Sequence, residues 1–248
     1  MSSYWIYGSH VVQAALDNQK RVVEELVFLE KINTNLNIPI NIKVTIKNKK
    51  FFNRIINKDE NSSGHQGIAA KIKPLEKINL KDIVKNDNLN TILALDQVCD
   101  PRNIGSIIRS CIAFNVDHLI IESGSTNFRT NTIHKASSGY IEKISIIEVS
   151  NINNAILELQ KKNFFIYGMD SHLGKELNKI DFLKKKLILL GSEAKGLRKN
   201  VTSKCDQLIK IKTTKESESL NVANAATVML YEIYNQSFNK SLTDQNNL

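Results

Sequence analysis

From residue 91 onward the chain alternates. Apolar runs of strand length at 91–95, 118–121, 144–149, 164–168, 187–190 and 208–211 are separated by stretches with helical spacing. This alternation constrains the fold more than any other feature. Runs rich in Ile, Leu and Val suit strands buried on both faces, and intervening helices suit the crossovers that parallel strands require. The clearest helical stretch sets Ile104, Ile107, Ile108, Cys111 and Ile112 at i, i+3, i+4, i+7 and i+8. A second, over 151–162, carries Ile152, Ala155, Ile156 and Leu159, and a third begins near Leu220 with Val222, Ala226, Met229 and Ile233 on one stripe. The pattern predicts an α/β fold, a mostly parallel sheet with helices on both faces. Such sheets bind ligands in loops beyond the carboxyl ends of their strands, so motifs are sought directly after the apolar runs.

The first 72 residues read differently. A helical pattern over 9–17 has Val12, Ala15 and Leu16 on its apolar side, an apolar run covers 22–29, and a Lys/Asn-rich stretch leads to Gly67-Ile68-Ala69-Ala70, a strand after a turn. The composition divides the chain into a small domain over 1–72, a polar connector over 73–88 and a larger domain over 89–248. The connector contains Pro74 and is helical near Leu80 to Val84.

The formal net charge is +9, built from 28 Lys and only 6 Arg against 25 acidic residues, in a chain with 29 Asn. A Lys- and Asn-heavy bias says little by itself about a nucleic-acid partner. Its distribution says more, because positive charge is denser in the first 88 residues. Within 43–58 lie Lys43, Lys47, Lys49, Lys50, Arg54 and Lys58 with no acidic residue, and Phe51 and Phe52 stand among them. Cations can neutralise phosphates while aromatics stack on unpaired bases. The reading adopted assigns the lysines to phosphate contact and buries the aromatics, with Ile55 and Ile56, in the small domain. Lys184-Lys185-Lys186 reads as a solvated loop before a strand.

Several classes are excluded. No apolar run reaches the ~18 residues of a membrane span, and the N-terminus lacks the basic start and apolar stretch of a signal peptide. Cys99, Cys111 and Cys205 are odd in number and far apart, which fits reduced thiols in the cytoplasm. The five histidines form no metal-ligand spacing with them, so no metal site is expected. A glycine-rich dinucleotide loop and a P-loop are absent after the first strand.

Three segments follow strands. Asp100-Pro-Arg-Asn103-Ile-Gly105-Ser-Ile-Ile-Arg109 follows the first; Asn103 is placed to cap the next helix, and Arg109 falls on its polar side. Gly191-Ser-Glu193-Ala194-Lys-Gly196-Leu197 follows the fifth, a small-residue loop around one carboxylate. Lys212 to Asn221 follows the sixth, and Ser219 and Asn221 are capping groups for the last helix. Taken singly, each reads equally well as an ordinary capped helix or turn.

Together the three resemble the SpoU (TrmH-like) 2′-O-ribose RNA methyltransferase family of the SPOUT superfamily. Asn103-x-Gly-x-x-x-Arg109 looks like its first motif, Gly191-Ser-Glu-x-x-Gly-Leu197 its second, and Ser219-Leu-Asn-Val222 with Ala225 and Ala226 its third. Tyr7-Gly-x-His-x-Val and His65-Gln66-Gly67-Ile68 resemble the small RNA-binding domain that precedes the catalytic domain in bacterial 23S rRNA guanosine methyltransferases. The chain departs from the family at Ala194, where Gly is usual, at Lys212-Thr213, where Pro-Met often follows Ile211, and at Ala223, where Ser is common.

The resemblance implies transfer of a methyl group from S-adenosylmethionine to a ribose 2′-hydroxyl of RNA, with a guanosine of 23S rRNA as target. It implies a C-terminal trefoil knot, a homodimer and a cytoplasmic location. Arg109 is the central catalytic residue; an arginine stays protonated, so it holds an RNA phosphate and stabilises the developing alkoxide rather than acting as a base. Asn103 orients Arg109 or the ribose, and Glu193, Ser219 and Asn221 complete the polar network. Gly191, Ile211 and Leu220 hold the cofactor through their backbones. RNA contact falls to Lys43, Lys47, Lys49, Lys50 and Arg54, with Arg102, Arg129 and His134-Lys135 as further candidates. Two rival readings stand beside this one: a tRNA ribose methyltransferase, and a catalytically silent RNA-binding assembly factor.

Overall fold

In the structure, a computed structural model, residues 2–30, 36–56, 62–86, 88–217 and 219–246 are described; Lys58 lies outside them. In chain order the elements begin β1 (Tyr4–Tyr7), α1 (Ser9–Asp17), β2 (Val23–Leu29), β3 (Val44–Lys47), α2 (Lys49–Ile55), β4 (Ile68–Ile72), α3 (Leu80–Ile83) and β5 (Thr91–Asp96). They continue α4 (Pro101–Ala113), β6 (His118–Glu122), α5 (Asn131–Ala136), β7 (Ser145–Val149), α6 (Ile152–Gln160), β8 (Phe165–Met169) and β9 (Lys175–Glu176). The last are β10 (Lys186–Gly191), α7 (Lys199–Thr202), β11 (Gln207–Lys210) and α8 (Val222–Asn246). Two compact units result: Met1–Glu76 with Asn127–Lys143, and Lys77–Thr126 with Ile144–Leu248.

The first unit is built on a mixed four-stranded sheet, order β1-β4-β2-β3, with β1 and β2 antiparallel to β4 and β3 parallel to β2. Side chains alternate across it. Ile6, Leu26, Phe28, Ile68, Ala70 and Ile72 pack with Val11, Val12 and Ala15 of α1, whereas Tyr7, Val27 and Ala69 pack with Phe52 of α2. β1 brings Tyr7 opposite Ala69, so the two stretches that carried the RNA-binding-domain resemblance are neighbours. The Gln66 side-chain oxygen accepts from the Ser9 amide at 2.9 Å and the Ser9 hydroxyl at 2.7 Å.

The segment Asn127–Lys143 belongs to this unit through buried polar contacts. Arg21 donates two hydrogen bonds to the Glu142 carboxylate, both 2.9 Å, and a third to the Lys73 carbonyl at 2.6 Å. The side chains of the pair are 3% and 2% exposed. A buried ion pair needs such complete hydrogen bonding because neither charge has water to fall back on. Beside it, His134 is fully enclosed, so it does not present the RNA-contacting surface expected from sequence. Burial holds its imidazole neutral, with its pKa pushed down to about 4. The unfolded chain takes up that proton near pH 6.5, so stability is full above pH 6.5 and falls as pH drops toward 4, by about 3 kcal/mol in total. Thermal melting across that range is expected to show the loss, and His134→Gln to flatten it.

The second unit carries a seven-stranded sheet, order β7-β6-β5-β10-β8-β11-β9, in which every described pairing is parallel. Ile92 and Ala94 of β5 and Leu187 and Leu189 of β10 share a core with Ile152, Ala155, Ile156 and Leu159 of α6. Their alternates, including Leu93, Leu95, Ile188 and Leu190, are also buried, on the opposite face. There α4 packs along α8, and the hydroxyls of Ser110 and Thr227 meet at 2.7 Å. Ile104, Ile107, Ile108 and Cys111 of α4 are fully buried; each such Ile contributes about 1.5–3 kcal/mol.

Lys186, taken from sequence as solvated, is 3% exposed at the start of β10. Its ammonium donates to Thr91 Oγ1 and the Lys184 carbonyl, and burial pushes its pKa down to about 8. Among the described residues, no helix is long and apolar enough to cross a membrane.

Candidate functional site

The site is assembled from the carboxyl ends of β5, β8, β10 and β11. β10 ends at Gly191 and turns at once into the loop Ser192–Gly196, closed by a hydrogen bond from the Gly196 amide to the Ser192 carbonyl at 2.8 Å. A Cβ on Gly191 would sit 2.1 Å from the Gly196 carbonyl carbon and 2.2 Å from the Leu197 nitrogen, so only glycine lets the loop fold back. Gly196 has φ +63°, in the left-handed region that favours glycine.

The far end of the loop is pinned by a carboxylate that the sequence reading did not name. Asp96, fully buried at the end of β5, accepts from the Arg198 amide at 2.8 Å and from Arg198 Nε at 2.6 Å. The Arg198 guanidinium also lies 3.1 Å from Glu122. A buried carboxylate is tolerated only with such partners, so Asp96 and Arg198 fix the loop to the sheet. The available signal was a single acid closing the otherwise apolar run of β5.

At the start of α4, Asp100 is the cap, its carboxylate accepting from the Arg102 amide at 2.8 Å, and Pro101 opens the helix. This corrects the assignment of Asn103 as cap. Proline suits the first helical position because its fixed φ and missing N–H match what that position needs, so the helix starts three residues earlier. Asn103 is freed for another contact. Its amide nitrogen donates to Glu193 Oε1, and its oxygen accepts from Asn221 Nδ2 at 3.1 Å. Asn221 in turn caps α8, its side-chain oxygen accepting from the Ala223 amide at 2.9 Å. One hydrogen-bonded run therefore joins the first turn of α4 to the loops holding Glu193 and Asn221, and Asn221 serves as helix cap and network member at once.

Alongside the run lies a cavity of about 410 Å³, within the ~300–1,000 Å³ typical of small-molecule sites. Gly191, Glu193, Ile211, Ser219 and Leu220, all named from sequence, line it. The loop after β8 also contributes, with Asp170 and His172. Asp170 shapes that loop, its carboxylate accepting from the His172 and Leu173 amides at 2.8 and 2.7 Å. No distinctive spacing marks this loop in the sequence. Arg109 is not gathered into the cavity: it is exposed on α4, and no hydrogen bond or ion pair among the described residues engages it. No group of three metal-ligating side chains occurs among the described residues.

These features agree with the comparisons. Residues 90–231 match the SpoU rRNA Methylase family, and residues 5–78 match the RNA 2′-O ribose methyltransferase substrate binding family. A Staphylococcus aureus protein carrying the name TrmH family tRNA/rRNA methyltransferase is 31% identical over 239 residues, 92% of this chain and 94% of that one. The AdoMet complex of the SpoU methyltransferase AviRb from Streptomyces viridochromogenes superposes with a TM-score of 0.82 at 21% identity, covering 96% and 91% of the two chains. An AdoMet-bound rRNA methyltransferase from Sinorhizobium meliloti gives 0.76 at 24%, covering 93% and 86%. A parallel α/β unit with loops gathered around a cavity, and a match to an RNA-substrate-binding family over residues 5–78, define the class of RNA methyltransferases. Within that class the chain belongs to the SpoU family, whose members take their methyl group from S-adenosylmethionine.

Proposed function

We propose that this enzyme methylates a ribose 2′-hydroxyl of RNA, with a guanosine of 23S rRNA as the target. The observation that carries the reading is the run Glu193–Asn103–Asn221 at the edge of the cavity, which places fixed polar groups where three strand ends converge.

The cavity fits S-adenosylmethionine. The loop Ser192–Gly196 and the backbone at Ile211 and Leu220 offer main-chain donors and acceptors, apolar side chains suit a flat ring, and the carboxylates of Asp170 and Glu193 suit a cation. S-Adenosylmethionine, when bound, supplies a methyl group already activated on a cationic sulfur. The chain's own residues have the harder task, which is to position a poor nucleophile and stabilise the charge it develops. Arg109, exposed and unpaired among the described residues, is open to an incoming RNA phosphate, and its fork of donors suits phosphate oxygens. Asn103 is held on both sides and needs no reorganisation to contact the ribose. Glu193 and Asn221 keep it there, and Ser219 adds a hydroxyl to the cavity wall.

The reading includes a homodimer. Val228, Tyr231, Tyr234 and Phe238 of α8 are 40–55% exposed, and Phe114 packs its ring 5.9 Å from Tyr231, which makes a continuous apolar face. It also includes a C-terminal knot. β11 lies between β8 and β9, and a Cβ on Gly174 in the connection between those two strands would sit 2.4 Å from the β11 backbone at Leu208. The reading also includes a cytoplasmic location.

The test is incubation with labelled S-adenosylmethionine and undermethylated total RNA, followed by mapping of alkali-resistant bonds. Label in 23S rRNA supports the proposal, label in tRNA supports the tRNA reading, and no label supports the silent factor.

A further inference from the structure

The basic stretch of the first unit does not behave as one block. Phe52 is fully buried, its ring 4.8 Å from that of His65. Phe51, expected to be buried with it, is only partly buried, at the rim of the same cluster. It stands edge-to-face against the likewise partly buried Trp5, with ring centroids 5.3 Å apart at 84°. Two cations lie over the Phe51 ring, Arg54 at 5.5 Å and Lys47 at 5.9 Å. Lys43, Lys47, Lys49, Lys50 and Arg54 are all exposed, and residues 43–56 include no acid.

We infer that Trp5 and Phe51 form a stacking platform for one unpaired nucleobase of the RNA, with Lys47, Lys50 and Arg54 holding the phosphates on either side. The inference takes from the function above only that the polyanion is RNA. A domain that needed Phe51 solely for its core would bury it as it buries Phe52. Instead an aromatic pair is kept partly in solvent inside a field of cations. Cation–π contacts at an exposed site are weaker than base–aromatic stacking. An arriving base therefore displaces Lys47 and Arg54 from the ring, and they turn to its flanking phosphates. Duplex RNA keeps its bases stacked on one another and offers no free face. An acidic peptide could use the cations but has nothing to set on the rings.

Trp5 is the only tryptophan in the chain, so its fluorescence reports on this spot. The full-length protein is titrated with an RNA hairpin bearing an unpaired loop, with the same stem as a blunt duplex, and with polyglutamate. The hairpin is expected to quench Trp5, and the other two to leave its emission unchanged. Phe51→Leu, which keeps the apolar contact but loses the ring, is expected to weaken hairpin binding roughly tenfold and to raise KM for RNA with kcat unchanged. Lys47→Ala, on the surface and harmless to folding, is expected to make the salt dependence shallower by about 0.7 in log–log slope. Unchanged Trp5 emission at saturation, equal quenching by duplex or polyglutamate, or parental affinity in Phe51→Leu would each overturn the inference. Methyl transfer to RNA with Trp5 silent sinks the platform alone. A Trp5 response without methyl transfer sinks the catalytic function and leaves the platform standing.

Discussion

Arg109→Ala is expected to abolish methyl transfer to RNA while leaving S-adenosylmethionine binding nearly intact. The separation follows from where the residue stands. Arg109 is exposed on the polar side of α4, lines no part of the cavity, and makes no hydrogen bond or ion pair among the described residues. Truncating it breaks no hydrogen bond or ion pair among the described residues, so the fold and the cofactor pocket should survive. What disappears, on the role proposed above, is a permanently charged fork for the RNA phosphate. Loss of one group aimed at charge developing in the transition state typically lowers the rate by about 10²–10³, and loss of the phosphate contact adds to that. Single-turnover transfer with labelled donor measures the first effect, and calorimetric titration with S-adenosylmethionine measures the second. Arg109→Lys should recover only part of the rate, because an ammonium keeps the charge without the planar fork. Near-normal turnover in Arg109→Ala would remove the assignment.

Gly191→Ala should have the opposite profile, with loss of cofactor binding first and activity as a consequence. The added methyl would meet the Gly196 carbonyl carbon at 2.1 Å and the Leu197 nitrogen at 2.2 Å. Both are backbone atoms and cannot swing aside as a side chain can. The loop Ser192–Gly196 must therefore open, but its far end is held by Leu197 in the core and by Arg198 on Asp96. Overpacking ordinarily costs ~1–3 kcal/mol, and a double backbone collision lies at or above the top of that range. Thermal melting should show the loss of stability, and S-adenosylmethionine titration a weakened or absent heat. Parental affinity would show that the cofactor does not depend on this loop.

The two substitutions also mark what the sequence could and could not convey. The apolar runs made the parallel sheet readable, because strands buried on both faces leave no room for polar residues, and the stripe on α4 was visible for the same reason. β3 escaped notice: Ile46 is 68% exposed and Val44 46%, so this edge strand has no buried face to produce alternation. β9, two residues long, carries no pattern at all. In the site, Gly191, Glu193, Ile211, Ser219 and Leu220 were named from the resemblance of their segments to the SpoU motifs, and all five line the cavity. The pairing of Asp96 with Arg198, 102 residues apart, was not, since nothing local links an acid at a strand end to an arginine after a distant loop. Asn103 was read as the cap of α4, which Asp100 provides because Pro101 opens the helix, and its contacts with Glu193 and Asn221 come from chain segments 90 and 118 residues away.

The bonded run at the cavity has a bearing on how the chain comes into being. Its partners are 90 residues apart in one link and 118 in the other. A ribosome making this protein releases Asn103 first, Glu193 well after it and Asn221 last of the three. Until that last stretch emerges, Asn103 has neither neighbour, and the pocket lacks the wall formed by Ser219 and Leu220. A nascent chain that stops short of Asn221 can therefore form its first sheet while its cavity still lacks that wall. The run closes in one step, once Asn221 has emerged, so every shorter nascent chain lacks it.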